Sequence, residues 1–283
     1  MPISELEVPG VVAVDDSGTP GVAPKSPFLH VNRNTWAAVI VPAAAVPSLR
    51  TGLQVFVDGV RGEFGVDELH FTDTYNGRGA FKSVPIEKRY ELFDLMATLF
   101  SSFRLPIVVQ TLSPQCLAET RLYMREWPKR LPWFKFHNHE HVGLLFLLCR
   151  VRMFMREQEQ VLPKPLSLII DEGLLKAGSA VSVPGWADLF LGGCASFHSS
   201  HQIPFLQLAD FAAFAVARAQ WIVSAGISKE RDLQFLRIVS PERLWYVNLA
   251  MAKASANEDS AKQYGRVIQA DRLLKGLPAE PPW

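Results

Sequence analysis

Three groups of acids stand where burial should forbid them. Asp15 and Asp16 close the run Val11-Val12-Ala13-Val14, and Asp171 closes Leu168-Ile169-Ile170. Asp210 lies inside Phe205-Leu206-Gln207-Leu208-Ala209-Asp210-Phe211-Ala212-Ala213-Phe214, where Gln207, one turn earlier, is the only other polar side chain. An ionised carboxylate taken out of water costs several kcal/mol unless it is paired or bound to a cation. Acids at two strand ends and on a buried helix therefore point to a shared partner. Like charges a few ångströms apart do not all stay ionised without a cation, so such a cluster is either protonated or filled by metal. Hard oxygen ligands with no Cys or His pair nearby select Mg²⁺ or Mn²⁺ over Zn²⁺. Two such ions about 3.5–4 Å apart would serve phosphodiester hydrolysis. A plainer account stays open at each position. Asp15-Asp16 and Asp171-Glu172-Gly173 are also turn or cap compositions, and Asp210 has Arg218 or another buried base as a salt-bridge partner.

Hydrophobic spacing defines the elements that must carry these residues. Val11–Asp15 reads as a buried strand ended by Asp-Asp-Ser-Gly, and Thr35–Val41 as a second strand stopped by Pro42. Ile86, Tyr90, Phe93, Ala97 and Phe100 recur at steps of four and three, which puts them on one face of a helix. Leu105–Leu112 is rich in β-formers, and Glu140–Gln160 is a long helix with Leu144, Leu148, Val151 and Met155 on one side. Leu166–Asp171 and Gly193–His198 read as strands. Pro204 then opens a helix, apolar on nearly every side through Val223, that should lie buried. Interleaved strands and helices imply an α/β domain layered around one sheet. The expected organisation is a single domain over 1–283, with a core of about 8–225 and helical decoration over 226–283.

Composition narrows the partners. The 29 Lys+Arg offset 28 Asp+Glu to leave a formal charge of +1, which argues against a strongly basic nucleic-acid module but leaves room for a local patch. The longest dense apolar runs, Val142–Cys149 and Phe211–Ala217, fall far short of the roughly 20 residues a membrane span needs, so no membrane partner is expected. Met1–Gly10 has acids and no basic flank or apolar core, unlike a signal peptide. Cys116, Cys149 and Cys194 form neither a zinc pattern nor a complete disulfide framework, and a reducing cytoplasm suits them.

Arg121, Arg125, Lys129, Arg130 and Lys135 interleave with Tyr123, Trp127, Trp133, Phe134 and Phe136. Bases that neutralise phosphates, alternating with aromatics that stack on nucleobases, suit a single-strand-binding surface. Equally, the aromatics would plug the core of a packed loop. His137-Asn138-His139-Glu140-His141 lacks the His-Glu-x-x-His order of zinc proteases and reads better as a polar helix entrance. Asn76-Gly77-Arg78-Gly79 is not a phosphate loop, and no serine stands in a Gly-x-Ser-x-Gly elbow.

Taken in order, Asp15-Asp16-Ser17-Gly18, Glu68-Leu69-His70, Asp171 after Leu168-Ile169-Ile170, and Gln207-Leu208-Ala209-Asp210 resemble the motifs of the prokaryotic family called domain of unknown function 3800. The resemblance implies a ribonuclease H-like mixed sheet flanked by helices, with extra helices, and an Mg²⁺-dependent acidic centre. Asp15 would contact both metals, Glu68 would be the second acid, Asp171 the acid on a neighbouring strand, and Asp210 the helical acid that completes the set. Asp16, Ser17 and Gln207 would support these ligands. His70 would position a phosphate or move a proton, unless it is a structural histidine. Two departures stand out: Asp16 replaces the more usual Glu, and His198 stands where relatives tend to carry an acid. The expected function is a nuclease, acting on RNA or DNA with Mg²⁺ or Mn²⁺, two ions in all, at Asp15, Glu68, Asp171 and Asp210. The alternative is a non-catalytic nucleic-acid-binding or scaffold subunit of a defence or mobile-element system.

Overall fold

Short runs of β-branched and small apolar residues form the middle of one sheet. These are β1 (Val11–Ser17), β2 (Asn34–Val41), β3 (Pro106–Leu112) and β4 (Leu166–Asp171), joined by β5 (Ala180–Ser182), β6 (Phe190–His198) and β7 (Trp245–Tyr246). The computed structural model describes residues 9–18, 33–112, 133–135, 137–158, 162, 165–183, 185–225, 229–247 and 273. The strand order is β5-β6-β4-β1-β2-β3-β7. β1, β2 and β3 run antiparallel in succession, whereas β4 lies parallel to β1, β6 parallel to β4, and β7 parallel to β3. The chain is thus an α/β protein with a seven-stranded mixed sheet flanked by helices, as the interleaved pattern predicts.

Successive side chains in a strand face opposite sides, and this sorts the core into two layers. Val11, Ala13, Ala37, Val39 and Ile169 face α1 (Val46–Phe64), α2 (Phe71–Asn76), α3 (Ile86–Phe103), α5 (Phe205–Ala225) and α6 (Glu230–Ile238). Val12, Val14, Ile40, Leu168 and Ile170 face the long helix α4 (His139–Glu157). Apolar residues on both faces explain why the central strands read as continuous hydrophobic runs. Helix α5 lies directly against β1 and β2, with Ala209, Ala212 and Ala213 fully buried. No helix among the described residues is long and apolar enough to cross a membrane.

The sequence reading places no helix between Pro42 and Ile86, yet α1 runs for 19 residues there. Its buried Val46, Leu49, Leu53, Val57 and Val60 keep helical spacing. Gly52, Gly59 and Gly62 lower its intrinsic propensity and hide it, so packing decides. In the region expected to be helical decoration, α6 is a helix but β7 joins the sheet. The polar stretch from Met251 lies outside the described residues apart from Leu273.

Gly143 shows how closely α4 approaches the sheet. A Cβ there would stand 2.8 Å from Trp36 Cδ1, and Trp36 is itself enclosed. Overpacking costs about 1–3 kcal/mol, whereas Gly to Ala in a helix gains about 1. Gly143→Ala is therefore expected to lower stability by about 1 kcal/mol in urea melts, despite the better helix former.

Candidate functional site

The parallel pairing of β1 with β4 aligns Val14 with Ile170. One step further along both strands come Asp15 and Asp171, at the carboxyl ends where open α/β sheets form ligand crevices. Ala13 and Ile169 face the α5 layer, so strand alternation points Asp15 and Asp171 the same way. Helix α5 passes over that end of the sheet and supplies Asp210. Glu68 arrives from the segment between α1 and α2. That segment is pinned by buried Leu69 and by Phe71, whose ring lies 5.0 Å from Phe211 and 5.3 Å from Phe93. Phe211 follows Asp210, so the aromatic cluster also sets the distance between the segment and the helix.

Asp15, Asp171 and Asp210 each keep a partly exposed edge, but their carboxyls are deep enough for desolvation to dominate. Burial pushes the Asp15 carboxyl well above its ordinary range, and the charges of Asp210, Asp171 and Asp16 push the same way. The amide of Asp16, donating to Asp15 Oδ1 at 2.7 Å, opposes them. Burial likewise raises Asp210 to about 7, with Asp171 and Glu68 adding, while the Phe71 amide at 3.4 Å and nearby His70 oppose. Asp171 rises to about 6 through burial and then the charge of Glu68, opposed by the amides of Ser200, at 3.1 Å, and Glu172. Among the described residues, none of these three acids pairs with a lysine or arginine. Arg218 stands elsewhere, its guanidinium 4.5 Å from the Tyr75 ring and 4.4 Å from Trp221. Buried carboxylates that sense one another's charge, with no lysine or arginine among the described residues to pair them, suit a cation or a shared proton.

Glu68 is held differently. Its Oε1 accepts a hydrogen bond from Ser200 Oγ, and its Oε2 lies 3.6 Å from His70 Nε2. The His70 side chain is 62% exposed.

A hard divalent cation fits the donor chemistry of this end of the sheet. The donors are carboxylates, and one turn before Asp210 the Oε1 of Gln207 is buried without a hydrogen-bond partner. The spacing is looser than the chemistry. Among the described residues, no three His, Cys, Asp or Glu side chains stand close enough together to hold a metal ion as they are placed.

The chain matches no family model, no curated protein and no solved structure.

Other expected residues fall in various places. Asp16 points to the opposite face from Asp15, where Asn34 Nδ2 donates to its Oδ2 at 2.6 Å and Glu140 adds negative charge. Its side chain therefore lies under α4, apart from the acids it would support. Ser17 pairs with Thr35 in register and shares the face of Asp15. His198 pairs with Asp171 across the sheet and lies 2.9 Å from Ser196 Oγ. Of the basic and aromatic stretch, Arg121, Arg125, Lys129 and Arg130 lie outside the described residues. Trp133 packs edge-on to Phe134 and Phe197 and donates from Nε1 to Ser182 O at 3.2 Å, whereas Lys135 is exposed. At the entrance of α4, Asn138 Oδ1 caps the amide of Glu140 at 2.7 Å, and buried His141 accepts from the Lys135 amide through Nδ1. That is the helix entrance the sequence suggests.

Two groups at the site carried no sequence signal. Ser200, a turn residue, touches both Glu68 and Asp171, and the Phe71 amide touches Asp210. A serine in the turn between a strand and a helix has no periodicity to mark it, and a backbone amide has no identity at all.

Proposed function

We propose that this chain is a ribonuclease H-like, Mg²⁺- or Mn²⁺-dependent nuclease that hydrolyses phosphodiester bonds of RNA or DNA at Asp15, Glu68, Asp171 and Asp210. The observation that carries the reading is the set of acids from β1, β4 and α5, raised by burial and then by the charge of neighbouring acids, without a lysine or arginine partner among the described residues. The mixed sheet flanked by helices agrees with the architecture implied by the resemblance to the domain of unknown function 3800 family. Cysteine usage fits a cytoplasmic setting.

Divalent ions, when bound, would make water a stronger nucleophile and neutralise the leaving oxygen, so no side-chain nucleophile is required. Asp15, which feels both Asp210 and Asp171, would be the ligand shared between the ions. Asp171 and Asp210 would be further ligands, from β4 and α5. His70 Nε2, exposed beside Glu68, is the group at the rim that can meet a phosphate oxygen or carry a proton to one.

The test is incubation of the chain with labelled single- and double-stranded DNA and RNA in Mn²⁺, Mg²⁺ or EDTA. Cleavage that needs the divalent ion is expected. No cleavage of any of the four substrates would overturn the reading. The loose spacing of the acids favours a second reading, that of a nucleic-acid-binding or scaffold subunit. A higher melting temperature in Mn²⁺ without cleavage would assign that role instead.

A further inference from the structure

Helix α5 is largely buried through Ala217 and then surfaces, so that Arg218, Ala219, Gln220 and Trp221 are each partly exposed. Arg218 stands at that transition. Its Cζ lies 4.5 Å from the centroid of the Tyr75 ring and 4.4 Å from that of Trp221. Its Nε is shut off from solvent and has no hydrogen-bond partner. A guanidinium partly removed from water needs compensation, and ring faces supply only part of it. Among the described residues no carboxylate pairs with Arg218. Asp232, which also reaches Tyr75, is committed elsewhere: it accepts from Tyr75 Oη at 3.3 Å, and its Oδ1 lies 4.0 Å from Arg231 Nε. The two rings thus hold a guanidinium whose charge stays unpaired. A planar fork held in this way is preorganised for a bidentate oxyanion, with which it makes short, directional bonds.

We propose that Arg218 binds a backbone phosphate of a nucleic-acid strand, with Tyr75 and Trp221 as the residues that position it. Arg218 comes eight residues after Asp210 on α5, about 12 Å along the helix axis, so one strand running along the helix reaches both. The inference rests on the nucleic-acid substrate of the nuclease reading and not on its metal ions. A phosphate contact carries no base sequence, so its contribution is the same for every sequence bound.

Binding of labelled single-stranded RNA and DNA in EDTA, followed over about 50–200 mM salt, tests this without cleavage. Arg218→Met keeps an aliphatic stem against the two rings and removes the charge. It is expected to bind about tenfold more weakly whatever the sequence. The slope of log affinity against log salt should become shallower by about 0.7, the share of one phosphate on a single strand. Arg218→Lys, which keeps the charge but lacks the fork, should restore the slope without the full affinity. With Mn²⁺ present, Arg218→Met should raise KM and leave kcat unchanged. An arginine that only packs would lower the melting temperature and leave the salt slope alone. An unchanged slope in Arg218→Met, or one that lysine does not restore, would overturn the inference, and Mn²⁺-dependent cleavage in the same preparations would leave the nuclease standing. No oligonucleotide binding by the unaltered chain would overturn it as well. The expected change of slope without cleavage of any substrate would support the phosphate subsite and remove the nuclease.

Discussion

Asp15→Asn and Asp210→Asn are each expected to cut divalent-dependent cleavage by about a thousandfold or more, while raising the melting temperature at pH 8. The first effect follows from removing a carboxylate from a centre whose proposed catalysis depends on divalent ions held by its acids. The second follows from the same burial. At pH 8 Asp210 is above its value of about 7, so the folded chain carries a charge held against desolvation and against Asp171 and Glu68. Asparagine has nearly the same shape and still offers Oδ1 to the Phe71 amide, which lies 3.4 Å from Asp210 Oδ2. The neutral side chain removes the repulsion without opening a cavity. Activity and stability should thus move in opposite directions, which a variant that merely misfolds cannot do. Steady-state cleavage and calorimetric melts on the same preparations check it. Undiminished cleavage in both variants, or melting temperatures that fall, would mean these acids are neither catalytic nor mutually repelling.

The acids that matter most were legible because each breaks an apolar run abruptly. Leu166–Asp171 is a strand with those bounds, and Asp171 ends it on the face that its spacing from Ile169 dictates. Asp210 was conspicuous as the one acid within the alanine-rich helix that presses on β1. Asp15 and Asp16 look alike in sequence, yet adjacent strand residues face opposite ways, so one meets α5 and the other meets Asn34 and α4. Glu68 stands among loop acids, with Asp67 beside it and Asp73 beyond, and only resemblance singled it out. The helix α1 escaped notice because three interior glycines offset its apolar spacing, and β7 because two residues cannot show alternation. Ser200 illustrates the general reason. A side chain that acts by standing between two distant segments is defined by tertiary structure, and its own neighbours in sequence say nothing of it.

The dependence of stability on pH should invert when a divalent ion is added. In EDTA, consider an acid with an ordinary value of 3.8 and a folded value of about 7, as for Asp210, or about 6, as for Asp171. Between those limits the folded chain holds a proton that the unfolded chain has released. The folded state then binds more protons, so unfolding free energy falls as pH rises. The stabilising contribution is complete below about pH 4 and is lost as pH climbs through 6 to 7, at up to about 1.4 kcal/mol per pH unit for each such group. A divalent ion needs carboxylates already deprotonated, so its stabilisation is weak at pH 5 and grows toward pH 8. Melting temperatures in EDTA should therefore decline from pH 5 to pH 8, while the increment produced by Mn²⁺ increases over the same range. In Asp210→Asn the decline in EDTA should flatten, since the group with the widest window is gone. An Mn²⁺ increment equal at pH 5 and pH 8 would place the ion on surface groups that titrate normally, and a stability in EDTA that climbs with pH would mean the carboxyls of β4 and α5 are ionised and satisfied in the fold. Either result would separate the crevice from metal chemistry, because the same desolvation that raises these acids is what makes a cation worth binding there.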